Sequence, residues 1–127
     1  MYRFECDYSE TCHPAILARL SDTNFHQTPG YGEDEFCVAA AALIRQACEL
    51  SEEDCSIHFM IGGTQTNLTV IASILRPYQG VVSADSGHIN VHETGAIEAT
   101  GHKVLTLPSY DGKLSASDVD KYVEDHY

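Results

Sequence analysis

The sequence predicts an α/β fold, a parallel sheet covered by helices, and three observations carry the prediction. Residues 55–61 alternate well enough for a short buried strand, and 81–84 and 103–107 read as two more. Helical segments alternate with them: 64–75 places Leu68, Ile71, Ala72 and Leu75 on one face, 89–100 follows the second strand, and a last helix follows Ser115. The first junction is a glycine pair, Gly62-Gly63. This order implies right-handed βαβ connections. Three strands make a thin sheet that needs both faces covered, so the chain reads as the opening, N-terminal portion of a larger α/β domain.

Each element has a local reason. Residues 1–12 are a polar lead-in. Pro14 suits a first helical position, Ile16, Leu17 and Leu20 share a face, and Ser21-Asp22-Thr23-Asn24 ends that helix. The loop 25–32 carries Tyr31 between glycines, so residues 1–32 form an N-terminal segment ahead of the sheet domain, 33–127. A helix over 33–50 has acids at its start and Phe36, Ala40, Leu43, Ile44, Ala47 and Leu50 at helical spacing. Residues 76–80 are a loop and Ser86-Gly87-His88 a turn, and the helix 89–100 takes in Glu93, Ala96, Ile97 and Ala99 before Gly101 ends it as a C′ residue. After the third strand, Ser109-Tyr110-Asp111-Gly112 turns the chain, and Ser115 caps the final helix.

At 127 residues the chain has the size of one domain, and 43% hydrophobic with 20% charged residues fits a globular protein. No apolar run approaches membrane-spanning length, and the first residues resemble neither an export nor an organelle signal, so the cytoplasm is the expected location. Nineteen acidic against seven basic residues give a net charge of -12, which argues against nucleic acids and anionic membranes as partners. Five cysteines with no CxxC pair are expected to be reduced, mostly buried thiols. His88 and His92 are four apart without an evident third ligand, so no metal site is expected.

The glycine junction has two readings. Gly62-Gly63 is either a tight corner, its torsions open only to glycine and Thr64 its N-cap, or a cradle whose free N–H groups receive a phosphate or carboxylate. In a parallel sheet, ligands sit beyond the carboxyl ends of the strands, which puts this turn and the segment from Asp85 to His88 on one edge.

The ordered set Ser9, Tyr31-Gly32-Glu33-Asp34, Gly63-Thr64-Gln65-Thr66-Asn67 and His88 followed by Glu93 resembles the threonine aldolase family of pyridoxal-phosphate enzymes. The likeness continues through Glu93-Thr94-Gly95-Ala96 and Gly101-His102-Lys103 to Asp111-Gly112-Lys113-Leu114. It implies a fold type I, aspartate-aminotransferase-like large domain that uses pyridoxal 5'-phosphate to cleave L-threonine, or a related β-hydroxy-α-amino acid, to glycine and an aldehyde. It also implies a homo-oligomer with active sites built between subunits. In such enzymes the cofactor is the electron sink, and the protein holds its phosphate, covers its ring and places a base near the substrate hydroxyl. Gly63, Thr64 and Gln65 match the phosphate-binding turn. His88 matches the histidine that stacks on the ring and serves in proton transfer, Ser9 and Tyr31 match substrate-side positions, and Glu93 matches an acid in the catalytic region whose alternative is an exposed helix acid.

The family's Schiff-base lysine lies in a Ser-Lys-Gly segment, whereas Lys103, Lys113 and Lys121 stand in other contexts. The later aspartate facing the ring nitrogen, its companion arginine and the second histidine also lack counterparts, and His126 does not stand for the last. The chain is therefore expected to be an N-terminal fragment without aldolase turnover by itself. Two other readings stay open: another fold type I β-eliminating lyase, and a non-catalytic module that binds a phosphate-bearing ligand.

Overall fold

In the computed structural model, residue 6 and residues 10–125 are described. The chain divides into two compact units, Met1–Phe59 and Met60–Tyr127.

The first unit holds helices α1 (Pro14–Thr23) and α2 (Glu35–Ala47). Proline opens α1 as its composition predicts, and the His13 ring accepts the Ala15 N–H as a cap, at 3.2 Å. At α2 the cap is Asp34, whose carboxylate accepts the Cys37 N–H at 2.9 Å. Hydrogen bonds from the Cys37 thiol and backbone hold the Asp34 carboxyl below the usual carboxylate range, and the same carboxylate pushes the thiol up. Residues 51–59 return along α2, where Arg45 Nε donates to the Cys55 carbonyl at 2.9 Å and Ile57 and Phe59 face a cleft shared with Val38 and Ala41.

The expected strand at 55–61 does not form. A strand exists only by pairing, and this segment enters no ladder among the described residues. Its alternation buries little: Ile57 is half-buried, but Phe59 is exposed and Ile61 is 99% exposed.

The second unit runs α3 (Gly63–Ile74), β1 (Gly80–Ala84), α4 (His88–Val91), a 3-10 turn at Glu98–Thr100, β2 (Lys103–Leu107) and α5 (Ala116–Glu124). The strands pair in parallel from Gly80 opposite Lys103 to Ala84 opposite Leu107, so both carboxyl ends lie on one edge. Val104, Leu107 and the fully buried Ile97 form the small core, with Ser83, His102 and Glu93 buried beside them. The face of α3 read from the sequence holds: Leu68, Ile71, Ala72 and Leu75 are half-buried. Ser115 caps α5 by accepting the Asp118 N–H at 3.1 Å, and Asp111 and Gly112, both at positive φ, close the tight turn between Tyr110 and Lys113.

The helix expected over 89–100 is broken. α4 ends at Val91, and Thr94 (φ 54°) and Gly95 (φ 76°) adopt left-handed backbone, which no α-helix continues through. The chain regains a helical turn at Glu98–Thr100, and Gly101 (φ 87°) stops it as the sequence predicts. The thiols also differ from expectation. No disulfide forms among the described residues, yet Cys12 and Cys48 are exposed and Cys6, Cys37 and Cys55 only half-buried, because the apolar interior is too small to enclose them.

Candidate functional site

The second unit brings together the glycine turn, His88 and Glu93 through one helix. At the start of α3 the N-cap is Gly62, not Thr64, which is the second helical residue. Ile61 N–H is taken by the Gln65 side chain at 3.1 Å, and Thr66 donates N–H and Oγ1 back to the Gly62 carbonyl. The N–H groups of Gly63, Thr64 and Gln65 have no acceptor among the described residues. They are first-turn donors that the helix cannot satisfy, at its positive end.

The glycines are not there for their torsions. Gly62 is extended (φ -166°), Gly63 is ordinary helix, and a Cβ on either would meet nothing within 4 Å. Neither torsion nor packing therefore requires glycine at these two positions. An anionic phosphate fits the donor set of the three N–H groups at the positive end of α3.

Asn67, on the same helix, extends its amide to Glu93, and Nδ2 donates to Oε1 at 2.6 Å. Glu93 Oε1 also meets His88 Nδ1 at 3.1 Å. The Glu93 side chain is fully buried and that of His88 is 63% exposed, so the acid lies beneath the ring. Glu93 Oε2 is buried with no hydrogen-bond partner among the described residues. The reading of Glu93 as an exposed helix acid is thus overturned: the left-handed backbone at Thr94 and Gly95 breaks the helix next to it, and its carboxylate points inward. The His88 ring leans on His92, centroids 5.3 Å apart. Its Nε2 has no protein partner among the described residues.

On the carboxyl edge, Asp85 Oδ1 accepts the Ser109 hydroxyl at 2.6 Å and the Ser86 N–H at 2.9 Å, joining the loops after β1 and β2. These bonds, that from Ser109 first, hold the Asp85 carboxyl below its ordinary range. Gly87, before His88, passes so close to β1 that a Cβ would overlap Ser83 Oγ and stand 2.9 Å from the Ala84 carbonyl oxygen.

Tyr31 belongs to the first unit, at positive φ (65°) and with its side chain fully exposed. Ser9 lies outside the described residues, as does His126. Asn67 closes the glycine-turn motif, but the sequence assigned it no role. Its signal was a polar side chain on the same face of α3 as Ile71 and Leu75, where burial demands a partner.

The sequence profile of the β-eliminating lyase family matches residues 9–127. A low specificity L-threonine aldolase of Pseudomonas sp. (strain NCIMB 10558) is 31% identical over 115 residues, 89% of this chain and 32% of that protein. The protein of the same description from Pseudomonas aeruginosa is 30% identical over the same spans. Among solved structures, a threonine aldolase of Leishmania major superposes with a TM-score of 0.87 at 46% identity, covering 94% of this chain and 34% of that one. The chain spans about a third of the length of the relatives it matches. Its architecture is a partial α/β domain of fold type I, and the family's enzymes depend on pyridoxal phosphate. With nearly all of its residues inside the matching profile, this chain belongs to the β-eliminating lyase family.

Proposed function

We propose that these residues form the phosphate-binding and ring-covering part of a pyridoxal-phosphate-dependent aldolase that cleaves L-threonine or a related β-hydroxy-α-amino acid to glycine and an aldehyde. The observation that carries the reading is the open first turn of α3, where three N–H groups have no acceptor among the described residues and follow a glycine pair that neither torsion nor packing requires. The likeness to aldolases from Pseudomonas and Leishmania supports it. Gly63, Thr64 and Gln65 would hold the phosphate, and the Thr64 hydroxyl, free of any capping duty, is available as a further donor.

When bound, the cofactor supplies an electron sink for the bond broken at the substrate Cα. This chain's part is to bind, cover and move a proton. His88 offers a largely exposed planar ring anchored at one nitrogen, with Nε2 free to take the proton of the substrate hydroxyl. Ser9 and Tyr31 are assigned to the substrate side on the family likeness. So is the division into an N-terminal active-site segment, 1–32, and the start of the sheet domain, 33–127. A homo-oligomer and a cytoplasmic location belong to the same proposal. Among the described residues no helix is long and apolar enough to cross a membrane.

The test follows amide signals of the chain during titration with pyridoxal phosphate and, in parallel, inorganic phosphate. Gly63, Thr64 and Gln65 should move first with both ligands. Thr64→Ala, which removes the hydroxyl, and Gly63→Pro, which removes an N–H at a first helical position that tolerates proline, should each weaken binding about tenfold, the loss of one charge-assisted hydrogen bond at about 1.5 kcal/mol. Unchanged binding in both variants would sink the cradle. Grafting these residues onto the remainder of the Pseudomonas aldolase and supplying threonine then tests the reaction by released glycine.

A further inference from the structure

The Glu93–His88 pair has a consequence for the imidazole that the aldolase reading does not contain. An ionised carboxylate only accepts hydrogen bonds, so the nitrogen facing it must carry the proton. The nitrogen 3.1 Å from Glu93 Oε1 is Nδ1. We propose that Glu93 is a positioning residue that fixes His88 as the Nδ1–H tautomer and leaves Nε2 as a bare lone pair. The proposal deepens the reading of His88 as the proton-transferring ring and rests on that reading only for its consequence in the reaction.

Three features separate this from ordinary packing. His88 is 63% exposed at its side chain, so its ring buries little surface and the bond to Glu93 sets its orientation. Glu93 is fully buried and cannot meet substrate directly; it acts through the ring above it. It is itself held, because Asn67 Nδ2 donates to the same Oε1 at 2.6 Å. The arrangement has the logic by which a buried acid orients a basic histidine: one partner for the ring, one anchor for the acid. Glu93 Oε2 has no donor among the described residues, where the compensation of its charge falls on Asn67 and His88. When Nε2 takes a proton, the cation forms against this carboxylate. The Nε2–H bond forms as the substrate O–H bond breaks, that bond's electron pair passing into the aldehyde carbonyl, while the Nδ1–H stays in place.

An unconstrained histidine side chain prefers the Nε2–H tautomer, so the proposal predicts the less common form. Two-bond proton–nitrogen correlation spectra of the 15N-labelled chain at mildly alkaline pH read the tautomer directly. His88 should be Nδ1–H in the parent. Glu93→Leu, similar in volume but without an acceptor, should shift it to mainly Nε2–H, and Asn67→Leu should shift it part of the way. Glu93→Gln should keep the Nδ1–H form, because an amide oxygen still accepts. An Nε2–H ring in the parent, or an unchanged tautomer in a folded Glu93→Leu, would overturn the proposal. Should Glu93→Leu not fold, the parent spectrum and Glu93→Gln decide. The outcome is separable from the cofactor titration. An Nδ1–H ring in a chain that ignores pyridoxal phosphate would leave the pair intact and refute the cradle, and the reverse result would do the opposite.

Discussion

Gly87→Ala should destabilise the chain by about 2–4 kcal/mol, and the structure gives the terms. Backbone torsion is not among them, since Gly87 sits at φ -65° and ψ 143°, where alanine is at ease. The cost is contact. The new methyl would overlap Ser83 Oγ and lie 2.9 Å from the Ala84 carbonyl oxygen. Ser83 is 8% exposed and its hydroxyl donates to the Ala84 carbonyl at 3.0 Å, so rotating it away strips a buried hydroxyl of its acceptor, about 1–3 kcal/mol. The carbonyl can retreat only if the end of β1 shifts, which adds overpacking strain of about 1–3 kcal/mol. The lower parts of both ranges sum to the figure above. With a slope of roughly 2 kcal/mol/M, the urea midpoint should fall by about 1–2 M. Adding Ser83→Ala removes one of the two clashes and should recover part of the loss relative to Ser83→Ala alone. Gly62→Ala is the control: its Cβ meets nothing, and stability should hold within about 0.5 kcal/mol. A Gly87→Ala chain as stable as its parent would refute the claim that close approach, rather than torsion, fixes this glycine.

Two further tests probe other parts of the frame. Ser115→Ala removes the acceptor for the Asp118 N–H and should cost about 1 kcal/mol, read as faster amide exchange at Asp118; unchanged exchange there would mean the cap contributes nothing. At Asp85 the folded carboxyl is held low, chiefly by the Ser109 hydroxyl. The stability this group contributes is present above its unfolded value of about 3.9 and is lost as pH falls through the depressed folded value. Ser109→Ala lets the folded value rise, so the drop in urea midpoint between about pH 6 and pH 2 should be smaller in the variant than in the parent. Equal drops would show that the Ser109 bond does not hold the carboxyl low.

Most elements were legible because their signals are local. Pro14 opens α1, Ser115 caps α5, Gly101 ends a helical turn, and β1 and β2 lie where short apolar runs are bounded by turn residues. The failures share a cause. A strand is a relation between two segments, so the alternation at 55–61 could not reveal that it has no partner. The apolar spacing of 89–100 suits a helix, but Thr94 takes a left-handed conformation that a β-branched residue disfavours, and only the tertiary context that buries Glu93 maintains it. The site divides the same way. The glycine turn and His88 were visible as motifs, whereas the burial of Glu93 and its tie to Asn67 join residues 26 apart and leave no local trace.

α3 also acts as a ruler. Its first turn carries the free N–H groups and its fifth residue, Asn67, secures the acid beneath His88. Four residues of helix advance about 6 Å, so that interval is set by backbone geometry and not by side-chain flexibility. Inserting one residue between Gly63 and Asn67 would lengthen it by about 1.5 Å and swing the amide by about 100° around the axis. The two ends of the site could then no longer be engaged together, although no residue of either had changed.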